Sequence, residues 1–495
     1  MLKFIFKTLI LSIAVGITLC VLYIFDLPPF QKIGGTAVQT NAPTDQQKAA
    51  IETQSLPVDL QDKVAVSKSY AEMISRAQLL EQNNFPTLAI AQYQEALNKD
   101  PNNTTPSLQI GKIYLRIADY LKAESTFRDL ISKEPNNTDA LVYLGRSLLA
   151  QRKISEARDV FNKITASTQT VKYYQGIVAA YFGDNDLAKA SLNQAVSLGG
   201  SSDITKKANN FLAAYNEYQF NADAPDIHLK VLLARSFNQC GEYQMAIPLL
   251  FEVTKLKLDY RDAWILLGYA YLQTEKYPDA IEALERAKTL DPQNADALFY
   301  LGLGYYSMNN YQKAEGNLNQ AKQYGFQPAI LVDQKLAEVY LQLQNFPKSA
   351  ESYEKVLSLN SQDINYYVKP IWIYLEKTHQ PDKALQLAQK ATKDHPNSAM
   401  GQSLLGWALI YNNDFSKAEA HLKLAMALDP KLDATYLNFG LLFEIRNQPD
   451  KALVFYKKAH SLGEGDGVSA AAADRYNKLI AKINSKSLEA NTLNQ

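Results

Sequence analysis

Between Trp264 and Pro292 polar and apolar positions alternate with a helical period. Trp264, Leu267 and Tyr271 recur three and four residues apart, so they share one face of a helix. Lys276 to Pro278 make a short turn, after which Ala280, Leu284 and Ala287 form the facing stripe of a second helix. Gly268 and Ala280 carry almost no side chain, which lets the two helices approach closely. Pro292 cannot continue the second helix and ends the unit.

The same spacing recurs along most of the chain with a period of 34 residues over its first steps. A first unit spans about Tyr70 to Asn103, with Ala77, Leu80, Ala89, Tyr93 and Ala96. The second carries Ile110, Gly111, Tyr114, Ala123 and Phe127, the third Leu144, Gly145, Leu148, Ala157 and Phe161. A shorter fourth has Gly176, Ala179, Ala188 and Leu192. The rhythm then breaks. Ile204, Ala208, Phe211, Leu212 and Tyr215 predict one unpaired helix, capped by Ser201, Ser202 or Asp203 and followed by a loop from Gln219 to Asp226. Seven units follow, the sixth being the stretch described first, and the last has Phe439, Gly440, Ala452 and Tyr456. The ninth is irregular: Trp372 replaces the small residue and Pro370 lies inside the first helix, which predicts a bent or shortened helix with the indole filling the gap. A last helix, Val468 to Lys486, has Tyr476, Leu479 and Ile483 on one stripe, and Asp474, Arg475, Lys478 and Lys482 are expected to form its polar outer side.

Trp264, Leu267, Gly268, Tyr271, Ala280, Leu284 and Pro292 match the pattern W-x2-L-G-x2-Y…A-x3-F…P, with Leu284 in place of the aromatic, so the chain resembles the tetratricopeptide repeat family over about residues 70 to 463. The resemblance implies an all-α, right-handed superhelical solenoid of about eleven hairpins. The expected organisation is a first sub-array at 64–199, an extra helix and joint at 200–226, a second sub-array at 227–466, a capping helix at 467–486 and a disordered tail at 487–495.

The N-terminus has a different pattern. Thr8 to Phe25 are 18 uncharged, mostly apolar residues, long enough to span a bilayer. Bulky Leu22, Tyr23, Ile24 and Phe25 offer no cleavage site, and bulky Leu19 before Cys20 does not suit a lipoprotein signal. Residues 1–26 therefore predict an uncleaved transmembrane signal anchor of bacterial type. Lys3 and Lys7 before the span keep the N-terminus cytoplasmic and put the array outside the cytoplasm. Residues 27–63 are expected to be a disordered tether, since Gln31 to Lys63 contain no aromatic residue.

Composition narrows function mostly by exclusion. Lys+Arg and Asp+Glu both total 51, which leaves no basic excess for nucleic acid. Two distant cysteines exclude a disulfide framework, and no two histidines share a metal-ligand spacing. Gly463 to Gly467 carries acids and no following Lys, so it suits a helix stop and not a phosphate loop. No catalytic, cofactor or metal residue is expected, and an enzyme is not.

In this family the first helices line a concave surface, so the positions between the signature residues are implied to face a ligand. In the early repeats these are Lys112, Arg116 and Arg146, a basic patch suited to a carboxylate or acidic segment, with a solvated helix face as the alternative. The carboxylate clamp of chaperone-binding members pairs Asn with Lys; Gln78, Lys112 and Arg146 at the matching positions do not support it. Further on the positions turn aromatic: Tyr173, Tyr181, Tyr269, Phe299, Tyr306, Tyr366, Trp407 and Tyr411. Tyr269, Tyr306, Trp407 and Tyr411 are expected in an open peptide groove, whereas Tyr173 and Phe299 suit packing equally. The expected function is a membrane-anchored scaffold that binds protein or peptide partners and assembles complexes at the cell envelope. The alternatives are an accessory subunit of a separately encoded envelope enzyme or glycosyltransferase system, or a pilus or secretion assembly factor.

Overall fold

The computed structural model describes residues 69–220, 225–463 and 467–493. Within them the chain is all helical: 24 α-helices and one π-helical turn. No helix among the described residues is long and apolar enough to cross a membrane. The expected membrane localisation is corrected accordingly: residues 1–26, on which it rested, lie outside the described residues with the tether at 27–63, and the structure assigns the chain to no compartment.

Helix hairpins repeat as the periodicity predicts. Each turn between the two helices of a repeat holds one residue in the left-handed region: Asn84, Ala118, Arg152, Gly183, Gly241, Glu275, Asn309, Gln344, His379, Asn413 and Asn447, eleven in all. They lie 34 or 35 residues apart, except for 31 before Gly183 and 58 before Gly241. The long interval contains the extra helix, Ser202–Phe220, whose N-terminus is capped by Ser201 Oγ accepting from Ile204 N at 3.4 Å.

The small first-helix residue is required by the packing. A Cβ on Gly145 would lie 2.3 Å from Phe161, on Gly268 2.4 Å from Leu284, and on Gly440 2.4 Å from Tyr456, in each case a side chain sixteen residues further on. Gly268→Leu should therefore destabilise the protein by about 1–3 kcal/mol through overpacking. Hydrogen exchange should report the loss mainly in hairpins adjoining Arg261–Gln273. Equal loss across distant repeats would contradict this local account.

The chain divides into two compact units, one ending at Ser307 and the other beginning at Met308. In the first, one hydrophobic cluster runs from Ala123 to Ala283 and includes Phe211 and Tyr215 of the extra helix. The helix Tyr243–Leu256 of repeat five also packs against Thr138–Ala150 of repeat three, and Arg152 Nε donates to Gln244 Oε1. That contact explains why Met245, Ile247 and Leu249 are buried beside the repeat positions Ala246, Leu250 and Val253.

In the second unit a cluster runs from Ala337 to Leu442. The first helix of repeat nine is α-helical over Asn365–Trp372 and widens to a π-turn over Ile373–Lys377. Pro370 thus shortens the regular helix as expected. The indole of Trp372 does not fill the gap between helices: it is half-exposed, with the ammonium groups of Lys369 and Lys377 at 5.6 and 5.1 Å from its ring. The wider π-turn buries Ile373, Tyr374 and Leu375 instead.

The terminal helix runs over Gly467–Leu493, past the expected end at 486. Ser487 to Ala490 contain good helix formers and no Gly or Pro, so nothing local stops it. Leu479 packs with Tyr476 and Ile483 on Tyr456, as the stripe predicts. Arg475, expected on the outer side, instead reaches Glu376 at 3.6 Å and Glu444 at 3.9 Å. The expected linker residues 464–466 and the loop residues 221–224 lie outside the described residues.

Candidate functional site: the inner face of the first helices

Within each unit, consecutive first helices pack against one another more closely than consecutive second helices do, so the first helices form the inner layer of that unit. The side chains that line this inner face are those between the packing positions, where the sequence placed its candidate residues.

In the first unit the early inner face is polar. Gln78, Glu81, Gln82, Tyr93, Gln109 and Arg116 surround a shallow cavity. Arg116 is paired with Glu81 at 3.3 Å, and so does not join the other two basic candidates. Lys112 and Arg146 do converge: both stand over the ring of Tyr143, at 4.8 and 5.2 Å from its centre. Neither has a carboxylate partner within ion-pair distance, and both are half-buried.

Further along, the chain covers its own inner face. The turn of repeat five, Cys240 to Tyr243, docks on repeats three and four. Tyr173 is 2 % exposed, and the Cys240 sulfur, a weak acceptor, is the group that lies beside its buried hydroxyl. Tyr174 is also buried and raised in pKa, first by burial and then by Glu242, against the pull of Arg146. Burial pushes the Glu242 carboxyl upward, opposed by Arg146 and Lys207. Burial likewise pushes the Cys240 thiol up to about 12, which leaves it an inert packing group.

The aromatic candidates of this unit belong to packed ladders. Tyr181 lies edge-on to Phe182 and Phe237. Tyr269 is half-buried between Tyr243 at 6.0 Å and Tyr300 at 5.1 Å, and its pKa is raised chiefly by burial. Phe299 is 2 % exposed against Tyr300, and Tyr306 is half-buried.

In the second unit Tyr366, Trp407 and Tyr411 are partly buried against the core, each with surface left on the inner side. Tyr411 donates its hydroxyl to Glu376, beside Arg475. The same device recurs where phenols meet carboxylates of neighbouring helices: Tyr374 donates to Glu354 and Tyr367 to Asp394, both at 2.5 Å, and Tyr456 to Glu444. Many of the 30 tyrosines are thereby core residues with a satisfied polar end.

Sequence reasoning missed Glu124, which ties three side chains together. It accepts from Arg128 Nε at 2.8 Å, Lys153 Nζ at 2.7 Å and Gln151 Nε2 at 2.8 Å. Burial opposes its ionisation, but these hydrogen bonds outweigh that and hold the carboxyl at about 2, below its ordinary 4.5. A depressed folded-state pKa stabilises fully above the unfolded value and is lost as pH falls through the folded one. The stability difference between wild type and Glu124→Gln, about 1–3 kcal/mol, should hold above about pH 4.5 and vanish by about pH 2 in denaturant titrations. A difference that persists at pH 2 would contradict the assignment.

No chemistry gathers at the histidines. His228 bonds Tyr260, His395 the Ser361 carbonyl, His421 Gln402 and His460 Ser469. Among the described residues no group of His, Cys, Asp or Glu is disposed to hold a metal ion.

Tetratricopeptide repeat models match residues 118–181, 334–363 and 373–433, and a TPR repeat model matches residues 268–309. None of the curated proteins compared matches the chain. Among solved structures, the MamA protein is 24 % identical over 34 % of this chain and 92 % of its own, with a TM-score of 0.32. The yeast Tom70 is 14 % identical over 86 % of this chain and 99 % of its own, with a TM-score of 0.31. A tetratricopeptide repeat protein from Parabacteroides merdae is 14 % identical over 50 % of this chain and 98 % of its own, with a TM-score of 0.36. At these scores none of the three bears on shape or partner.

Proposed function

Because the chain belongs to the tetratricopeptide repeat family, we propose that it is a non-catalytic scaffold whose first helices bind protein or peptide partners and bring them together. One observation supports this most: side chains at equivalent inner positions of the repeats stay half-exposed and are cationic or aromatic, as with Lys112, Arg146 and Trp407. The packing positions beside them, such as Ile110, Leu144 and Leu405, are buried. Large aromatic surface at low conformational cost, with cations set between, is what a protein-binding surface requires. Recruitment is then the mechanism, since rigid hairpins hold the contact residues in fixed register and leave no reaction to perform.

Affinity purification of the tagged full-length chain tests the reading. Quantitative identification should show a defined set of proteins that co-purify with wild type and are lost when Lys112, Arg146 and Trp407 are replaced together by Ala, with the helical circular dichroism spectrum retained. Retention of the same set by the folded triple variant would refute the inner face as the binding surface.

A further inference from the structure

The turn of repeat five carries the carboxyl of Glu242 into its contact with repeats three and four. The elements packed around that carboxyl each turn a charged or titratable group toward it. Thr138–Ala150 presents Arg146, and Gln169–Phe182 presents Tyr173 and Tyr174. The extra helix presents Lys207, itself paired with Asp203 at 2.8 Å, and the turn adds its own Cys240 and Tyr243. Among the described residues none of these makes a hydrogen bond or an ion pair with the Glu242 side chain. Arg146 lies instead over the rings of Tyr143 and Tyr174, at 5.2 and 6.0 Å from their centres.

A carboxylate so placed works against the docking that surrounds it. Tyr173, Tyr174 and Cys240 are all buried, so little water reaches the niche, although Glu242 keeps part of its own surface open. Attraction from two cations at a distance offsets only part of the lost hydration, and burial holds the carboxyl above its ordinary range. The forces that seat the turn are of another kind: Met245, Ile247 and Leu249 are buried just beyond it, and Arg152 donates to Gln244 at the rim. Burial also pushes the Cys240 thiol and the three phenols upward, away from neutral pH. A carboxyl that holds its proton more tightly docked than lifted docks more tightly when protonated. That gain is complete below the ordinary carboxyl range and is lost as pH rises through the raised value.

We propose that this turn is a latch worked by the charge of Glu242: protonated, it stays seated over repeats three and four, and ionised, it lifts and uncovers them. Lifting frees Tyr173, Tyr174 and Arg146 and continues the inner face of the first three repeats into the fourth. This rests on the scaffold reading for what the latch would regulate, and adds proton control of how much surface is open.

The test reads the latch from Cys240. Its sulfur lies 3.8 Å from the Lys207 carbonyl and 3.9 Å from the Asn210 amide, beside Tyr173, so alkylation requires the turn to lift. Full-length protein is treated with N-ethylmaleimide at about pH 5 and about pH 8, on either side of the raised value. Labelling is quantified by mass spectrometry on the Cys240 peptide, relative to free cysteine at the same pH, which cancels the pH dependence of the thiolate itself. After that correction wild type should label at least about threefold faster at the higher pH, while Glu242→Gln should stay slow at both. At the higher pH Arg146→Gln should label at least about threefold faster than wild type, because the carboxylate loses an opposing cation. Arg146→Gln combined with Glu242→Gln should return to the slow rate, which a merely structural role of Arg146 would not produce. A wild-type rate that does not change with pH, zero included, would overturn the inference. So would a Glu242→Gln variant as pH-dependent as wild type, or a double variant as fast as Arg146→Gln. Circular dichroism of each variant at both pH values separates lifting from unfolding. No partner enters the measurement, so a failed latch leaves the scaffold reading standing, and a failed capture experiment leaves the latch.

Discussion

Tyr173→Ala is expected to lower stability by about 3–5 kcal/mol, while Tyr173→Phe is expected to raise it by about 1 kcal/mol. The opposite signs follow from one location. Tyr173 is almost fully enclosed, with Tyr174 edge-on at 5.1 Å, Phe211 of the extra helix at 6.5 Å and Cys240 of repeat five beside it. Truncation to Ala opens a cavity where three elements meet, and the rigid hairpins around it relax little. The hydroxyl, by contrast, is buried with only the Cys240 sulfur, a weak acceptor, beside it, so its desolvation is little repaid. Removing it alone keeps the ring contacts and drops that cost. Denaturant titration of both variants measures the pair of effects. A destabilising Tyr173→Phe would mean the hydroxyl is satisfied, and a mild Tyr173→Ala would mean repeats three to five are not locked together.

That lock is also where sequence reasoning ran out. The hairpins were legible because helix packing imposes a local period: Gly268 must be small where Leu284 is large, and both lie inside one repeat. The extra helix was legible for the same reason, as Ala208, Phe211 and Tyr215 recur at helical spacing and are buried. The docking of repeat five on repeat three joins Arg152 to Gln244, 92 residues apart, and contact at that separation leaves no period. Its trace was compositional. Met245, Ile247 and Leu249 are apolar at positions a lone hairpin exposes, and Tyr173 with Tyr174 puts two aromatics on one inner face. Among the candidate residues, type and face were readable from register, but engagement was not. Arg116 looked equivalent to Lys112 until Glu81, one repeat earlier, was seen to pair with it. Trp372 looked like a gap filler because register was assumed constant, and the π-turn after it adds a residue that regular periodicity cannot anticipate.

Trp407→Ala is expected to release the co-purifying proteins by at least about thirtyfold, the effect of losing a central aromatic anchor worth about 2 kcal/mol or more. Its stability cost should be smaller than for a core tryptophan. The indole sits on Ala399–Tyr411 with its neighbours Leu404, Leu405 and Ala408 buried, yet it is itself only half-buried against the second unit's core. A fully enclosed tryptophan costs about 3–5 kcal/mol on truncation, so partial burial suggests about 1–2 kcal/mol here. Tyr411, one turn further on, is fixed by Glu376 and presents its ring on the same side, which extends the aromatic surface in a rigid pose. Leu409→Ala is the control, since Leu409 is 6 % exposed and belongs to the core. It should cost about 2–5 kcal/mol and leave capture intact below its melting temperature. Capture and melting are then measured on both variants. Trp407→Ala that melts as low as Leu409→Ala and still captures its partners would show the indole to be packing alone, and the second unit's inner face would have no anchor there.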